Sequence, residues 1–210
     1  MLDNIHWLGH DTFRIDGPLT IYIDPYEMNE GNPPADLILI THDHFDHCSP
    51  EDVARIQTED TVIVTIKSAA EKLSGKMRVV APGDVITVGG IDIEAVPAYN
   101  IDKFRSPGEP YHPKEAGHVG FVMTVDDTRI YHAGDTDHIP EMANLKAIDI
   151  ALLPVSGIYV MTAEEAVEAC RTIEPDVAIP MHVGRGIGSL DDAQTFEEGA
   201  PVQVVTLELE

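Results

Sequence analysis

An α+β fold made of two sheets packed face to face, with helices outside, is what this 210-residue sequence predicts. Three observations carry the prediction. Short β-branched and apolar runs dominate both halves of the chain. Helical segments are few, and each follows a cluster of such runs. Too many of the runs lack a crossover helix for a doubly wound parallel sheet. Hydrophobic residues make up 43% of the chain, enough for one domain with a sizeable core, and no repeat or long linker divides residues 1–210.

The elements follow in order. Phe13 and Ile15 alternate with polar neighbours, Leu19 to Ile23 comes next, and Leu37 to Ile40 is a wholly apolar run; all three read as strands. Ser49 as a cap, Pro50 in the first helical position, and Glu51 and Asp52 at the positive end of the dipole start a helix. Thr61 to Ile66 is a β-branched strand, and Ser68 with Glu71 reads as the capping box of a helix that Gly75 ends. Met77 to Val96 is β-rich, punctuated by Pro82-Gly83-Asp84 and Gly89-Gly90. Val119 to Val125 and Arg129 to His132 flank Asp126-Asp127, a hairpin. Asp149 to Leu153 and Val177 to Pro180 are strands. Thr162 with Glu165 opens a helix running to Thr172. Ser189 with Asp192 opens the last helix, closed by Gly199 before a strand from Val202 to Leu207.

Thirteen Lys plus Arg against 37 Asp plus Glu give a formal charge of −24. Such a field repels polyanions, which argues against a nucleic-acid or anionic-membrane partner and leaves a small-molecule substrate. Cys48 and Cys170 are too few and too far apart for a disulfide framework, so a reducing compartment is expected. The start MLDNIHWLGH has no basic or apolar signal region. The apolar stretch Ala151 to Met161 is broken by Pro154, Ser156 and Gly157. A cytoplasmic protein is the expectation, and a homo-oligomer is compatible with it.

The chemistry concentrates in Thr41-His42-Asp43-His44-Phe45-Asp46-His47-Cys48, directly after the apolar run. His42 and His44 are two apart at a strand end, so both side chains can point to one side. Asp46 and His47 lie where the chain turns toward the next helix and can diverge toward a second ion. Imidazole suits Zn, Fe, Ni or Mn, and carboxylate adds a hard oxygen ligand. So many ionisable groups would repel, or need costly burial, unless a cation joined them. Further ligand candidates end later strands: Asp135 in Tyr131-His132-Ala133-Gly134-Asp135-Thr136, and His182 in Ile179-Pro180-Met181-His182.

These motifs resemble the metallo-β-lactamase-fold hydrolases. THDHFDH is similar to their HxHxDH signature, Ile23-Asp24-Pro25 to their first motif, Gly134-Asp135 to their bridging aspartate, and His182 to their last histidine. Trp7-Leu8-Gly9-His10, Tyr131 to Thr136 and Ile179 to His182 resemble, more narrowly, a small metal-dependent hydrolase group related to L-ascorbate-6-phosphate lactonase. The resemblance implies a four-layer αββα sandwich with the metal site at one edge of the two sheets. It implies His42 and His44 on a first ion, Asp46, His47 and His182 on a second, and Asp135 between them. One or two divalent ions are implied, Zn first, with Mn or Fe as alternatives. The family's usual third histidine of the first ion falls here on Tyr99-Asn100. Either Asn100 binds weakly, or His112 swings in, or the first site is thin.

Other candidates surround this set. His132 is an acid–base candidate, a donor orienting a ligand, or a core histidine. Asp24 is expected to accept a hydrogen bond from a ligand histidine, and His10 to line the pocket or to serve local structure. Cys48 is expected to pack under the loop, and His6, His118 and His138 are ordinary histidines. The segment Tyr99 to Gly117 is the longest irregular stretch. It carries Lys103, Arg105 and Lys114, to which Arg185 adds, in an otherwise acidic chain. Tyr99, Asn100, Lys103, His112, Lys114 and Arg185 are therefore the substrate-binding candidates, suited to an anionic group.

The expected reaction is metal-dependent hydrolysis, with Asp46 orienting the nucleophilic water and passing on its proton. A lactone or ester bond in a small anionic metabolite is the first substrate reading. A phosphodiesterase or nuclease of the same fold is the alternative. An iron redox enzyme or a purely structural metal site ranks below both.

Overall fold

The computed structural model describes all 210 residues. The first half comprises β1 (Ile5–Gly9), β2 (Thr12–Asp16), β3 (Thr20–Ile23), β4 (Leu37–Ile40), α1 (Pro50–Ile56), β5 (Val62–Thr65), the single turn α2 (Lys67–Ala70) and β6 (Lys76–Val79). These six strands form one sheet in sequence order, antiparallel from β1 to β3 and parallel from β3 to β6.

The second half comprises β7 (Val85–Val88), β8 (Ile91–Pro97), a short hairpin of β9 (Phe104–Ser106) and β10 (Glu109–Pro110), β11 (Val119–Val125), β12 (Thr128–His132), β13 (Ile150–Pro154), α3 (Ala163–Ile173), β14 (Val177–Met181), α4 (Leu190–Gly199) and β15 (Gln203–Val204). Seven of these strands form the second sheet, in the order β15-β14-β13-β12-β11-β8-β7. It too begins antiparallel and turns parallel, from β12 onward.

One apolar core of 55 residues joins the sheets, drawing Phe13 and Ile38 from the first and Phe121, Leu152 and Ile179 from the second, all fully buried. The wholly apolar strands β4 and β13 are buried along their length because they are covered on both faces. α1 buries Val53 and Ile56, α3 packs on β13, and α4 on β14. The layers are thus helix, sheet, sheet, helix, as expected from the sequence.

Local chemistry sets the boundaries. Ser49 accepts from the Asp52 N–H with Pro50 behind it, and Thr162 and Glu165 form the reciprocal box that starts α3. Asp126 and Asp127 both adopt positive φ, 46° and 62°, as a two-residue hairpin turn requires.

Four details differ from the sequence reading. β1 was not anticipated, because Ile5 to Gly9 has no clean alternation. The Ser68–Glu71 box does not form: α2 starts at Lys67 with Ile66 as its uncapped entry and lasts one turn. The 99–117 segment holds the β9–β10 hairpin and a 3₁₀ turn at Lys114–Ala116. The last strand is only Gln203–Val204, because the chain then leaves the second sheet and docks on the first, where the Glu210 N–H donates to the Trp7 carbonyl at 3.1 Å.

Phe121→Ala should cost about 3–5 kcal/mol of unfolding free energy in urea titration, since the ring is fully buried in the core. Burial pushes the Cys48 thiol up to about 11 and the Cys170 thiol up to about 12. Iodoacetamide at mildly alkaline pH should therefore label neither in the folded protein and both after denaturation, as read by mass spectrometry.

Candidate metal centre

Strand ends and turns at one edge of the two sheets converge on a single site. The β1–β2 turn brings His10 and Asp11, β3 ends in Asp24, and β4 runs into Thr41 to His47. β8 leads to Asn100, His118 precedes β11, β12 leads to Asp135, β13 to Ser156 and β14 to His182. Ligand sites of this kind lie beyond the carboxyl ends of parallel strands, where successive loops diverge. Three of these residues, His10 (φ 53°), Asp24 (φ 44°) and His182 (φ 59°), hold left-handed backbone that non-glycine residues seldom adopt. Gly134 has φ 64°, and a Cβ there would lie 2.9 Å from the Val119 carbonyl oxygen and 3.2 Å from Thr41. Only glycine lets the chain pass Thr41 and deliver Asp135.

Asp24 is fully buried and takes three hydrogen bonds: from the Thr41 N–H (2.8 Å), the Thr41 hydroxyl (2.6 Å) and His47 Nδ1 (2.8 Å). It ties two strand ends together and fixes the His47 tautomer, leaving Nε2 free to point inward. Ser156 does the same for His182, 2.8 Å from its Nδ1. Asn100 does so for His112. Its Oδ1 accepts from the His112 N–H (2.8 Å) and from Nδ1 (2.9 Å), while its Nδ2 donates to Asp137 (3.0 Å) and the Tyr159 carbonyl (2.9 Å). Every polar atom of the Asn100 amide is engaged, and the group that reaches the cage is His112 Nε2.

The inward-pointing atoms form two clusters. In the outer one, His44 Nδ1 lies 3.1 Å from His42 Nε2 and 3.2 Å from His112 Nε2, and the ligand atoms of all three residues fall within 4.8 Å of one another. In the inner one, His10, Asp11, His47 and His182 meet the same condition. Asp135 stands between them, with one oxygen 3.2 Å from His112 Nε2 and 3.5 Å from His182 Nε2, and the other 3.3 Å from His47 Nε2. Asp46 is 3.5 Å from His10 Nε2, at the mouth.

Both ring nitrogens of His10, both oxygens of Asp11, His47 Nε2, His182 Nε2, His118 Nδ1 and Asp135 Oδ1 are buried with no hydrogen-bond partner. Each such atom ordinarily costs about 1–3 kcal/mol, so their concentration in one place fits a cation-binding cage.

The electrostatics of the cage are divided. Burial, then the His47 charge, hold His42 well below the usual histidine range, and burial with His112 lowers His44. Burial, His112 and His44 push His118 down to about 4. Burial opposes the charged forms of His47 and Asp135, but each supplies the other's counter-charge, so His47 is raised and Asp135 lowered. Burial likewise works against the Asp46 carboxylate, but His10 and the His47 charge hold it at about 2. Asp11 is driven up by burial, against the pull of His10.

A cavity of about 280 Å³ opens from the cage. His44, Asp46, His112 and Asp135 form its floor, and Phe45, Arg105, Tyr111 and Tyr159 its walls. The Arg105 guanidinium lies over the Tyr111 ring, 5.6 Å from its centroid.

Among the substrate-binding candidates, His112 reaches this cavity and the others stand aside. Lys103 pairs with Glu165 (2.8 Å) and Asp102, Lys114 with Glu141 (2.6 Å), and Arg185 with Glu27 and the Leu8 carbonyl (2.8 Å). The Tyr99 hydroxyl donates to Glu141 (2.9 Å). His132 is not placed for acid–base work on a substrate. Its Nε2 donates to the Asp11 carbonyl (3.0 Å) and its Nδ1 accepts the Gly134 N–H (3.2 Å), so both nitrogens serve the backbone. Cys48 packs with its sulfur toward the Ala69 carbonyl (3.9 Å).

Sequence reasoning passed over Asp11, Ser156, Asp137 and His118. Of these, Asp11 alone carried a signal, as the neighbour of His10 after a glycine turn. His118, read as ordinary, sits with its ring 4.9 Å from that of His42.

Comparison with known proteins identifies the family. Residues 4–182 match the family described as "Beta-lactamase superfamily domain". A UPF0173 metal-dependent hydrolase of Methanoculleus marisnigri is 36% identical over 84% of this chain and 79% of the relative. One from Methanopyrus kandleri is 34% identical over 97% and 96%. A crystal structure from Parabacteroides distasonis, of a protein assigned as a metal-dependent hydrolase, superposes with TM-score 0.86 at 35% identity, over 98% of this chain and 93% of that one. The metallo hydrolase Igni18 of Ignicoccus hospitalis shares the fold at TM-score 0.76 and 24% identity, over 97% and 94%. The chain therefore belongs to the β-lactamase superfamily and is one of its metal-dependent hydrolases.

Proposed function

We propose that this hydrolase opens a lactone or ester bond in a small anionic metabolite, using one or two divalent ions, Zn first, with Mn or Fe as alternatives. The observation that carries the reading is the set of buried, unpartnered ligand atoms converging beside an open cavity. His42, His44 and His112 would hold the outer ion and His47, His182 and Asp46 the inner one, with Asp135 placed to serve either. Ions bound there supply a water ionised near neutral pH and polarise the scissile carbonyl. Asp46, ionised at the cavity floor, orients the attacking water and carries its proton to the leaving group. Asn100 keeps the His112 proton on Nδ1, so that Nε2 presents a lone pair to the cage.

The substrate class rests on the cavity. Its volume suits a small metabolite, Arg105 is the cation on its wall, and Phe45, Tyr111 and Tyr159 offer ring surface to the apolar part of the ligand. The likeness of Trp7 to His10 and Tyr131 to Thr136 to the lactonase-related group supports a lactone or ester. A small phosphodiester would fit the same groups, whereas the charge of −24 disfavours a long nucleic acid.

In a panel of anionic lactones, carboxylic esters and bis-p-nitrophenyl phosphate, the lactones and esters should turn over fastest. His44→Ala and Asp135→Ala should abolish that turnover while circular dichroism stays native; activity in either variant would overturn the ligand roles of these two residues. Arg105→Ala should raise KM for anionic substrates by about tenfold or more, the worth of one charge-assisted hydrogen bond. Lys103→Ala, whose ammonium is held by Glu165, should leave KM unchanged in the same assay.

A further inference from the structure

We propose that Asp11 is a direct ligand of the inner metal ion. The inference rests on the metal-binding reading above and extends it to a residue outside the family motif. The Gly9-His10-Asp11-Thr12 turn is pinned on three consecutive residues. Trp7 Nε1 donates to the His10 carbonyl (2.9 Å), His132 Nε2 to the Asp11 carbonyl (3.0 Å), and the Thr12 hydroxyl to the Asp24 carbonyl (2.6 Å). The position of the Asp11 side chain is therefore imposed by the fold. Its carboxylate is fully buried, and neither oxygen has a hydrogen-bond donor.

The spacings around it are those of a shared cation. Ligand atoms each about 2.1 Å from one ion lie roughly 3–4.2 Å from one another. Asp11 Oδ2 is 3.9 Å from His47 Nε2, which is 3.3 Å from Asp135 Oδ1, and His182 Nε2 is 3.5 Å from Asp135 Oδ2. These gaps are too long for good hydrogen bonds and right for atoms facing a common ion. Asp11 offers a ligand atom within 4.8 Å of ligand atoms of His10, His47 and His182. Asp11 and Asp135 both approach His47 Nε2, and two buried carboxylates around one imidazole nitrogen need either a cation between them or a shared proton. The imidazoles of His47 and His182, with free Nε2 atoms aimed into the same gap, select the cation. The inner site then holds more carboxylate oxygen than the all-imidazole outer trio, and takes a harder ion such as Mn or Fe more readily than the outer site does.

The test is metal binding itself. Wild-type protein, Asp11→Asn and His112→Ala would be stripped and titrated with Mn and with Zn against a competing chelator, and wild-type crystals soaked in each metal for anomalous diffraction. Wild type should bind two ions, with an Asp11 oxygen about 2.0–2.3 Å from the inner one. Asp11→Asn should weaken the inner site at least tenfold and spare the outer, and His112→Ala should do the reverse. An inner ion out of reach of Asp11, or an Asp11→Asn protein with unchanged affinity at both sites, would overturn this assignment and leave the hydrolase reading intact. Wild-type protein that takes up no ion would overturn both.

Discussion

Burying imidazoles and carboxylates together in a dry space constrains everything else in this molecule. His42, His47, His112 and His182 are almost wholly inaccessible, as are Asp11 and Asp135. Such groups, left without partners, would drive the sheets apart or draw water between them. The cage is tolerable as a cation site, and the fold is arranged to build it. Each half-chain ends its parallel strands at the same edge, so ligands distant in sequence arrive together.

The ligands are held from behind. Asp24, Ser156 and Asn100 each engage the outward nitrogen of one histidine and so aim the other inward. These supports cost backbone freedom. Asp24 and His182 sit in left-handed conformations, and Gly134 must be glycine because Thr41 and the Val119 carbonyl crowd it. Strain of this sort, collected at one edge of an otherwise regular sandwich, is what a preorganised site requires.

The acidity of the chain shapes the entrance. The positive charges near the site are few, and carboxylates already neutralise most of them, Lys103 through Glu165 and Lys114 through Glu141. Those pairs fasten the 99–117 segment to the body of the protein. Arg105, lying over Tyr111 instead of on a carboxylate, keeps its charge available to the cavity. A specific anion can thus be met locally although the protein as a whole repels polyanions.

Much of this was legible in the residues alone. The apolar runs, the caps at Ser49, Thr162 and Ser189, and the Asp126-Asp127 turn reflect short-range physics, so the layered sandwich could be read in advance. The crowding of His42, His44, Asp46 and His47 is likewise local, and a metal cage was the natural reading of it. What tertiary structure decided is contact across the chain. No local pattern says that Asn100 turns its amide away while His112 fills the gap, or that His132 spends both nitrogens on backbone. None says that a two-residue turn before β2 pushes Asp11 into the cage from the far side. Charge pairing is of the same kind: which of Lys103, Arg105 and Lys114 stays free depends on carboxylates that folding brings alongside. Periodicity and capping act within a few residues, whereas ligand geometry and ion pairing act through space, and only the folded chain sets those distances.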